Sequence, residues 1–269
     1  MFLKVFKYDL RAMGKALFLA PVIWLLGAIS SLLIRMTDRS DMGLIKTVLT
    51  TPLVLSVVLI FLFPLVVLVL CLRRYYTHFF TDEGYLTFTL PVKRETHLLS
   101  ATLSTVAVTL LSGLAVIIAL AIFTWLLPGN AREVVDEAWK ILGNLWDYYS
   151  ESGARVVLIA ILAALSLLVS FVNGITVFHF SLTCGHLAAR KHKVLAAIGI
   201  WWGITYVMNS ISQVLNIFDI YYLSENDAEE AFANGLILTL VIRILLNAAF
   251  LAASYLINRH LLKNRFSLA

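Results

Sequence analysis

Charged residues are scarce in this chain. Asp, Glu, Lys and Arg make up 14% of its 269 residues, where soluble domains carry about 25%. Hydrophobic residues make up 61%. They are gathered into long runs, and a run of about 20 apolar residues crosses the hydrocarbon core of a bilayer. No stretch between the runs is large enough for a soluble domain of ordinary size. Cysteine is almost missing: Cys71 and Cys184 are the two present, and neither stands in a CxxC or metal-ligand spacing. That excludes a disulfide scaffold and a cysteine metal site, and both read as structural thiols near span ends. There is no GxxxxGK[ST], so the chain does not cradle nucleotide phosphates by that route. HExxH and GxSxG are also absent. The predicted spans contain no Asp or Glu, which weighs against a proton-coupled carrier and an aspartyl intramembrane protease. Internal repeats, low-complexity linkers and a cleavable signal site are likewise missing.

What is present points to an all-α, polytopic membrane protein: a single six-span transmembrane domain over residues 1–269. Spans are predicted at residues 16–34, 47–72, 98–127, 156–187, 194–218 and 235–257. The third and fourth are longer than a bilayer requires and are expected to tilt or protrude. Ahead of them, residues 1–15 form an N-terminal interfacial helix. Phe2, Phe6, Leu10 and Met13 recur at helical spacing, with Lys4, Lys7, Arg11 and Lys15 between them, the pattern of a helix lying in the headgroup layer. Pro52 and Pro64 fall in the second span, and Pro64, deep in the run, predicts a bend. Residues 128–155 are predicted to hold an external amphipathic helix. Asn130 is its N-cap, Glu133 stands three residues later as in a capping box, and Trp139 and Trp146 suit an interface.

The formal net charge is +5. In a membrane protein this reads as the positive-inside bias, not as a nucleic-acid surface. The basic clusters are Lys4 to Lys15, Arg73 with Arg74, Lys93 with Arg94, Arg190 to Lys193, and Arg259 to Arg265. They alternate with acidic segments holding Glu133, Asp136, Glu137, Asp147 and Glu151, then Asp219, Glu225, Asp227, Glu229 and Glu230. Both termini are therefore expected in the cytoplasm. The first external loop, with Arg35, Arg39 and Lys46, runs against the trend.

Polar groups inside spans are few. Arg243 lies in the outer part of the sixth span, where an arginine costs about 2.5–3.5 kcal/mol at mid-bilayer and less near an interface. Asn247 is one turn further along the same face. Asn209, Gln213 and Asn216 share one face of the fifth span, and Asn173 and His179 lie in the fourth. Asn173, Asn209, Gln213, Asn216, Arg243 and Asn247 read either as the lining of a translocation path or as interhelical hydrogen-bonding groups. His179 reads as a packing histidine, because no second ligand stands at a useful offset. No metal site is expected.

The stretch that sets this chain apart runs between the second and third predicted spans: RRYYTHFFTDEGYLTFTLPVKR, residues 73–94. A plain connector has no need for so many aromatic and aliphatic side chains. Leu86, Phe88 and Leu90 alternate with Thr87 and Thr89, a strand-like period, and Pro91 disfavours helical dihedrals at Leu90. On these residues alone a helix is expected over 76–85, ending before the alternating part.

The block Asp82, Glu83, Gly84, Tyr85, Leu86, Thr87, Phe88, Thr89, Leu90, Pro91, Val92, followed by Lys93, Arg94, Leu98 and Leu99, resembles the membrane subunits of ABC transporters, type-2 exporter class. The opening Phe6, Lys7, Tyr8, Asp9, Leu10, Arg11 and Ala12 is similar to their basic N-terminal elbow, and six spans agree along essentially the whole chain. The chain departs from the pattern in placing its longer external segment between spans three and four.

The resemblance implies a cytoplasmic coupling helix within residues 73–97, with Phe80, Asp82, Glu83, Gly84, Tyr85, Leu86, Thr87 and Phe88 as the docking surface for a separate ATPase. ATP and Mg would be bound by that partner and no cofactor by this chain, which is then not itself an enzyme. Two permease subunits, the same chain twice or paired with a relative, would sit on two ATPases in a bacterial cell membrane. The cargo would be a peptide, an amphipathic drug or a lipid. The alternative is a non-transporting immunity or sensor protein of the membrane that binds an amphipathic ligand.

Overall fold

The computed structural model describes residues 2–37, 43–89, 92–126, 154–225 and 228–264, with single residues between 133 and 147. Among them every regular element is helical. In chain order these are α1 (Phe2–Gly14), a 3-10 turn (Lys15–Phe18), α2 (Leu19–Thr37), α3 (Gly43–Phe80), α4 (Asp82–Thr89), α5 (Arg94–Leu126), α6 (Ala154–Ala188), α7 (Lys193–Glu225) and α8 (Ala228–Asn264). Six helical stretches are long and apolar enough to cross a membrane: Phe2–Leu33, Val54–Phe80, Arg94–Ile122, Arg155–Ala188, Lys193–Val214 and Asn234–Asn264. The protein is an all-α, multi-pass membrane protein. Helices are the expected solution, because each satisfies its own backbone polar groups where no water is at hand. The expected external helix over residues 128–155 lies largely outside the described residues.

The helices outrun the predicted spans. α3 is 38 residues long and passes through both Pro52 and Pro64 without interruption. It continues eight residues past the apolar run, to Phe80. The acidic segment after the fifth span is also mostly helical: α7 runs to Glu225 and α8 begins at Ala228. Hydropathy marks where hydrocarbon ends, whereas a helix continues for as long as its backbone bonds are satisfied.

The described residues fall into two compact units. One comprises Met1–Arg74 and Leu103–Trp146, the other Tyr75–Thr102 and Asp147–Ala269. In the first, Met13 of α1, Ala20 of α2, Phe63, Val67 and Cys71 of α3 and Val108 of α5 form a buried cluster. Leu10, Ile23, Trp24 and Val116 pack against it. α1 is amphipathic as its spacing predicts. Asp9 and Met13 are buried, Phe2, Phe6 and Leu10 are half-buried, and Lys4, Lys7, Arg11 and Lys15 are exposed. Outward faces are apolar, with Leu25, Val54, Phe61, Leu65 and Ile117 exposed, as lipid-facing surfaces require. Ser31 and Thr109 turn their hydroxyls inward along their own helices. Ser31 donates to the Gly27 carbonyl at 2.8 Å and Thr109 to that of Thr105 at 2.8 Å, so neither adds an unsatisfied group.

In the second unit α6 packs against both α7 and α8, and α7 against α8. The tightest approach is at Gly185 of α6. A Cβ there would lie 2.5 Å from the Ala197 nitrogen and 2.6 Å from its Cα and Cβ. Backbone cannot yield as a flexible side chain does, so this approach needs glycine. Gly185→Ala is expected to force α6 and α7 apart, at a cost of about 1–3 kcal/mol by analogy with overpacked cores. Thermal unfolding of the purified protein in detergent, compared with Gly174→Ala, checks this. Gly174 lies on the same helix, has open space around its Cβ position, and is expected to be near neutral.

Candidate functional site

The candidate site is the corner between α3 and α5, together with the helix ends that hold it. α3 stops at Phe80 and α4 begins at Asp82. Thr81 makes the break. Its hydroxyl donates to the Thr77 carbonyl at 2.6 Å, and its own carbonyl accepts from the Gly84 amide at 2.8 Å. Gly84 is buried, and a Cβ on it would stand 2.7 Å from the Phe79 carbonyl oxygen. Glycine is what lets α4 fold back so closely on the end of α3. Asp82 and Glu83 occupy the first turn of α4 and are exposed, where acids complement the positive end of a helix.

α4 corrects the expectation of a helix over 76–85 followed by an extended run. The break comes at Thr81, and residues 82–89 are one helix. The alternation of Leu86, Phe88 and Leu90 with threonines imitates a strand. Among the described residues there is no strand for it to pair with, and a helix satisfies the same backbone groups locally. Of the residues assigned to docking, Phe80 is half-buried, Asp82 and Glu83 are exposed and Gly84 is buried. Tyr85, Leu86, Thr87 and Phe88 lie on α4, with side chains outside the described residues.

Immediately before the corner, Tyr75 anchors the end of α3. It is fully buried. Its ring stacks on the His179 imidazole of α6 with centroids 4.0 Å apart and planes within 5°, and Phe79 packs at 4.8 Å. The hydrogen bonds run in one direction. Asn258 Nδ2 of α8 donates to the Tyr75 hydroxyl at 3.3 Å. Thr183 Oγ1 already gives its proton to the His179 carbonyl at 3.0 Å, so the Tyr75 hydroxyl donates to Thr183 at 3.2 Å. In the same way Thr102 of α5 donates to the Leu98 carbonyl at 2.9 Å, which leaves His179 Nδ1 as donor to Thr102 at 3.2 Å. Four helices thus meet on one tyrosine–histidine stack. His179 has the contacts of a packing histidine.

A second imidazole holds the rim. Phe80 stacks on His186 of α6 at 4.7 Å. Lys193, at the start of α7, lies 3.3 Å from His186 Nε2. An ammonium only donates, so Nε2 accepts, and the ring proton on Nδ1 points at the Tyr76 hydroxyl 3.4 Å away. Phe79, Tyr75 and Leu98 join Ala101 and Leu262 in one buried cluster. The corner is therefore carried by helix ends from α3, α5, α6, α7 and α8.

The polar residues assigned to a path fall into two groups. Asn173 is buried, and its Nδ2 donates to Asn247 Oδ1 at 3.0 Å; Asn247 in turn donates to the Arg243 carbonyl at 2.9 Å. Arg243 is half-buried. Asn173 and Asn247 thus join α6 to α8, and Arg243 lies one turn before Asn247 on α8. Asn209 and Gln213 are exposed on α7 and do not join them, and the Asn216 side chain lies outside the described residues. Asn173 Oδ1 is buried with no hydrogen-bond partner among the described residues. Interhelical bonds of this kind average about 0.6 kcal/mol. Asn173→Leu is therefore expected to cost less than about 1 kcal/mol in a chemical-denaturation titration in detergent.

Tyr75, Thr102, Thr183, His186 and Asn258 are the site residues that reading the sequence misses. The one available signal is the density of aromatics in residues 75–80. Among the described residues no group of three or more His, Cys, Asp or Glu side chains is placed to hold a metal. Comparison with protein families, with curated proteins and with solved structures finds no match.

Proposed function

We propose that this chain is the membrane subunit of an ATP-driven exporter of the ABC type-2 class, and that α4 is its coupling helix. The observation that carries the reading is the corner itself. An eight-residue helix with exposed acids is suspended between two spans, and its base is fixed to neighbouring helix ends by the Tyr75–His179 stack. A rigidly held lever on a membrane bundle suits transmission of force from a soluble partner. The absence of a GxxxxGK[ST] motif agrees with an energy source on another chain.

In this reading both termini and α4 face the cytoplasm of a bacterial cell, as the alternation of basic and acidic segments favours. A separate ATPase binds ATP and Mg and closes on nucleotide binding. It pushes α4, and with it the ends of α3 and α5. Two permease subunits work as a pair, and the cargo is a peptide, an amphipathic drug or a lipid. Asn173 and Asn247, hydrogen-bonded to each other, and Arg243 one turn away on α8 are the proposed contact for cargo. Affinity purification of the tagged chain from its native membranes, followed by identification of bound proteins, tests the reading. An ATP-hydrolysing subunit at about one per chain is expected, and a chain that purifies without one contradicts it.

A further inference from the structure

A groove of about 440 Å³ lies between the start of α5 and the end of α8. Leu98 and Leu262 close its bottom and are themselves buried. Its rim carries four cations, Lys93, Arg94, Arg259 and Lys263, against one acid, Glu95. Two of the cations are committed to structure. Arg94 Nη1 donates to the Leu262 carbonyl at 3.0 Å, capping the end of α8, and Arg259 pairs with Glu95 at 2.8 Å. Lys93 and Lys263 are exposed, and their ammonium groups have no hydrogen bond or ion pair among the described residues. The pairing of Arg259 with Glu95 removes the one acid that would otherwise oppose an anion there.

The position of the groove identifies its ligand. The apolar run of α5 begins at Leu98 and that of α8 ends at Ile257, so the rim stands where both helices pass through the headgroup layer. A phospholipid presents its phosphate at this level of the bilayer. Basic pockets between spans at the membrane surface hold anionic headgroups in this way. We propose that this groove binds the headgroup of one anionic phospholipid, with its phosphate between Lys93 and Lys263. The proposal needs only that α5 and α8 span the membrane, and it does not depend on the transport reading.

The test uses the full chain in a neutral detergent. Native mass spectrometry counts bound dioleoyl phosphatidylglycerol or dioleoyl phosphatidylcholine, and sn-glycerol 1-phosphate is added in a parallel thermal-unfolding series. Phosphatidylglycerol is expected to occupy one site at least about tenfold more tightly than phosphatidylcholine, with glycerol phosphate without effect at matched concentration. Each basic residue near the surface contributes about fivefold in binding. The K93Q/K263Q double variant should therefore bind phosphatidylglycerol about 30-fold more weakly, while K93R/K263R and K4Q/K7Q keep the site. Equal binding of the two lipids overturns the proposal, as does undiminished binding by K93Q/K263Q. Stabilisation by glycerol phosphate equal to that by the lipid would assign the groove to a soluble phosphate compound instead. If K93Q/K263Q does not fold, the comparison of the two lipids on the unmodified chain still decides.

Discussion

Removing residues 83–88 is expected to abolish association with the ATPase while leaving the chain inserted in the membrane. The deleted segment is most of α4. The anchor is not part of it: Tyr75 still has His179, Thr183 and Asn258 around it. The spans on either side keep their apolar length, so insertion has no reason to fail. What disappears is the exposed Glu83 and most of the helix that carries it. A milder variant separates docking from loss of the segment. Glu83→Lys reverses one exposed charge and loses about 0.3–1 kcal/mol of favourable interaction with the helix dipole. It is expected to weaken the complex in proportion to salt-sensitive attraction without dissolving α4. Co-purification with the tagged chain, at two salt concentrations, measures both variants. Normal ATPase binding by the deletion variant would show that α4 is not the contact.

Replacing Tyr75 by alanine is expected to produce the largest loss of stability of any single substitution at this corner. The side chain is fully buried, and truncating a large buried aromatic costs about 3–5 kcal/mol through lost burial and the cavity left behind. Two further costs add to it. His179 loses its stacking partner, and Asn258 Nδ2 and Thr183 lose the hydroxyl that joins them. Tyr75→Phe isolates the second part, because it keeps the stack and removes only the hydroxyl. It is expected to cost about 0.6–1.7 kcal/mol, the range of interhelical hydrogen bonds in a bundle. Unfolding in detergent should therefore rank wild type above Tyr75→Phe and both well above Tyr75→Ala. If Tyr75→Ala stays within about 1 kcal/mol of wild type, the stack does not hold the end of α3.

The six spans are legible in the sequence because the bilayer imposes both a length and a polarity, and hydropathy records both. Helix ends are not legible in this way. Residues 73–80 are charged and aromatic, yet α3 runs through them, because nothing about leaving hydrocarbon stops a helix. α4 misleads for a different reason. Its Leu/Thr alternation has the period of a strand, and that period means pairing only where another strand exists. The anchor is invisible because its partners are remote in sequence: Tyr75 and Thr183 are 108 positions apart, and Tyr75 and Asn258 are 183 apart. A single sequence carries no signal of such pairing. Asn173 and Asn247 stand out individually as polar residues in spans, but their mutual bond, across 74 positions, does not. The distinction between these two and the exposed Asn209 and Gln213 likewise needs the packing of α6, α7 and α8.

α4 is proposed to touch an ATP-hydrolysing partner, and a photo-crosslinking amino acid at position 83 probes that contact. Irradiation of native membranes should join the chain to an ATP-binding subunit, with a yield that changes when ATP and Mg are added. The same probe at Trp202, exposed on α7, should not give that product. A position-83 probe that labels only lipid or water, in membranes where the chain is inserted and folded, would contradict the account.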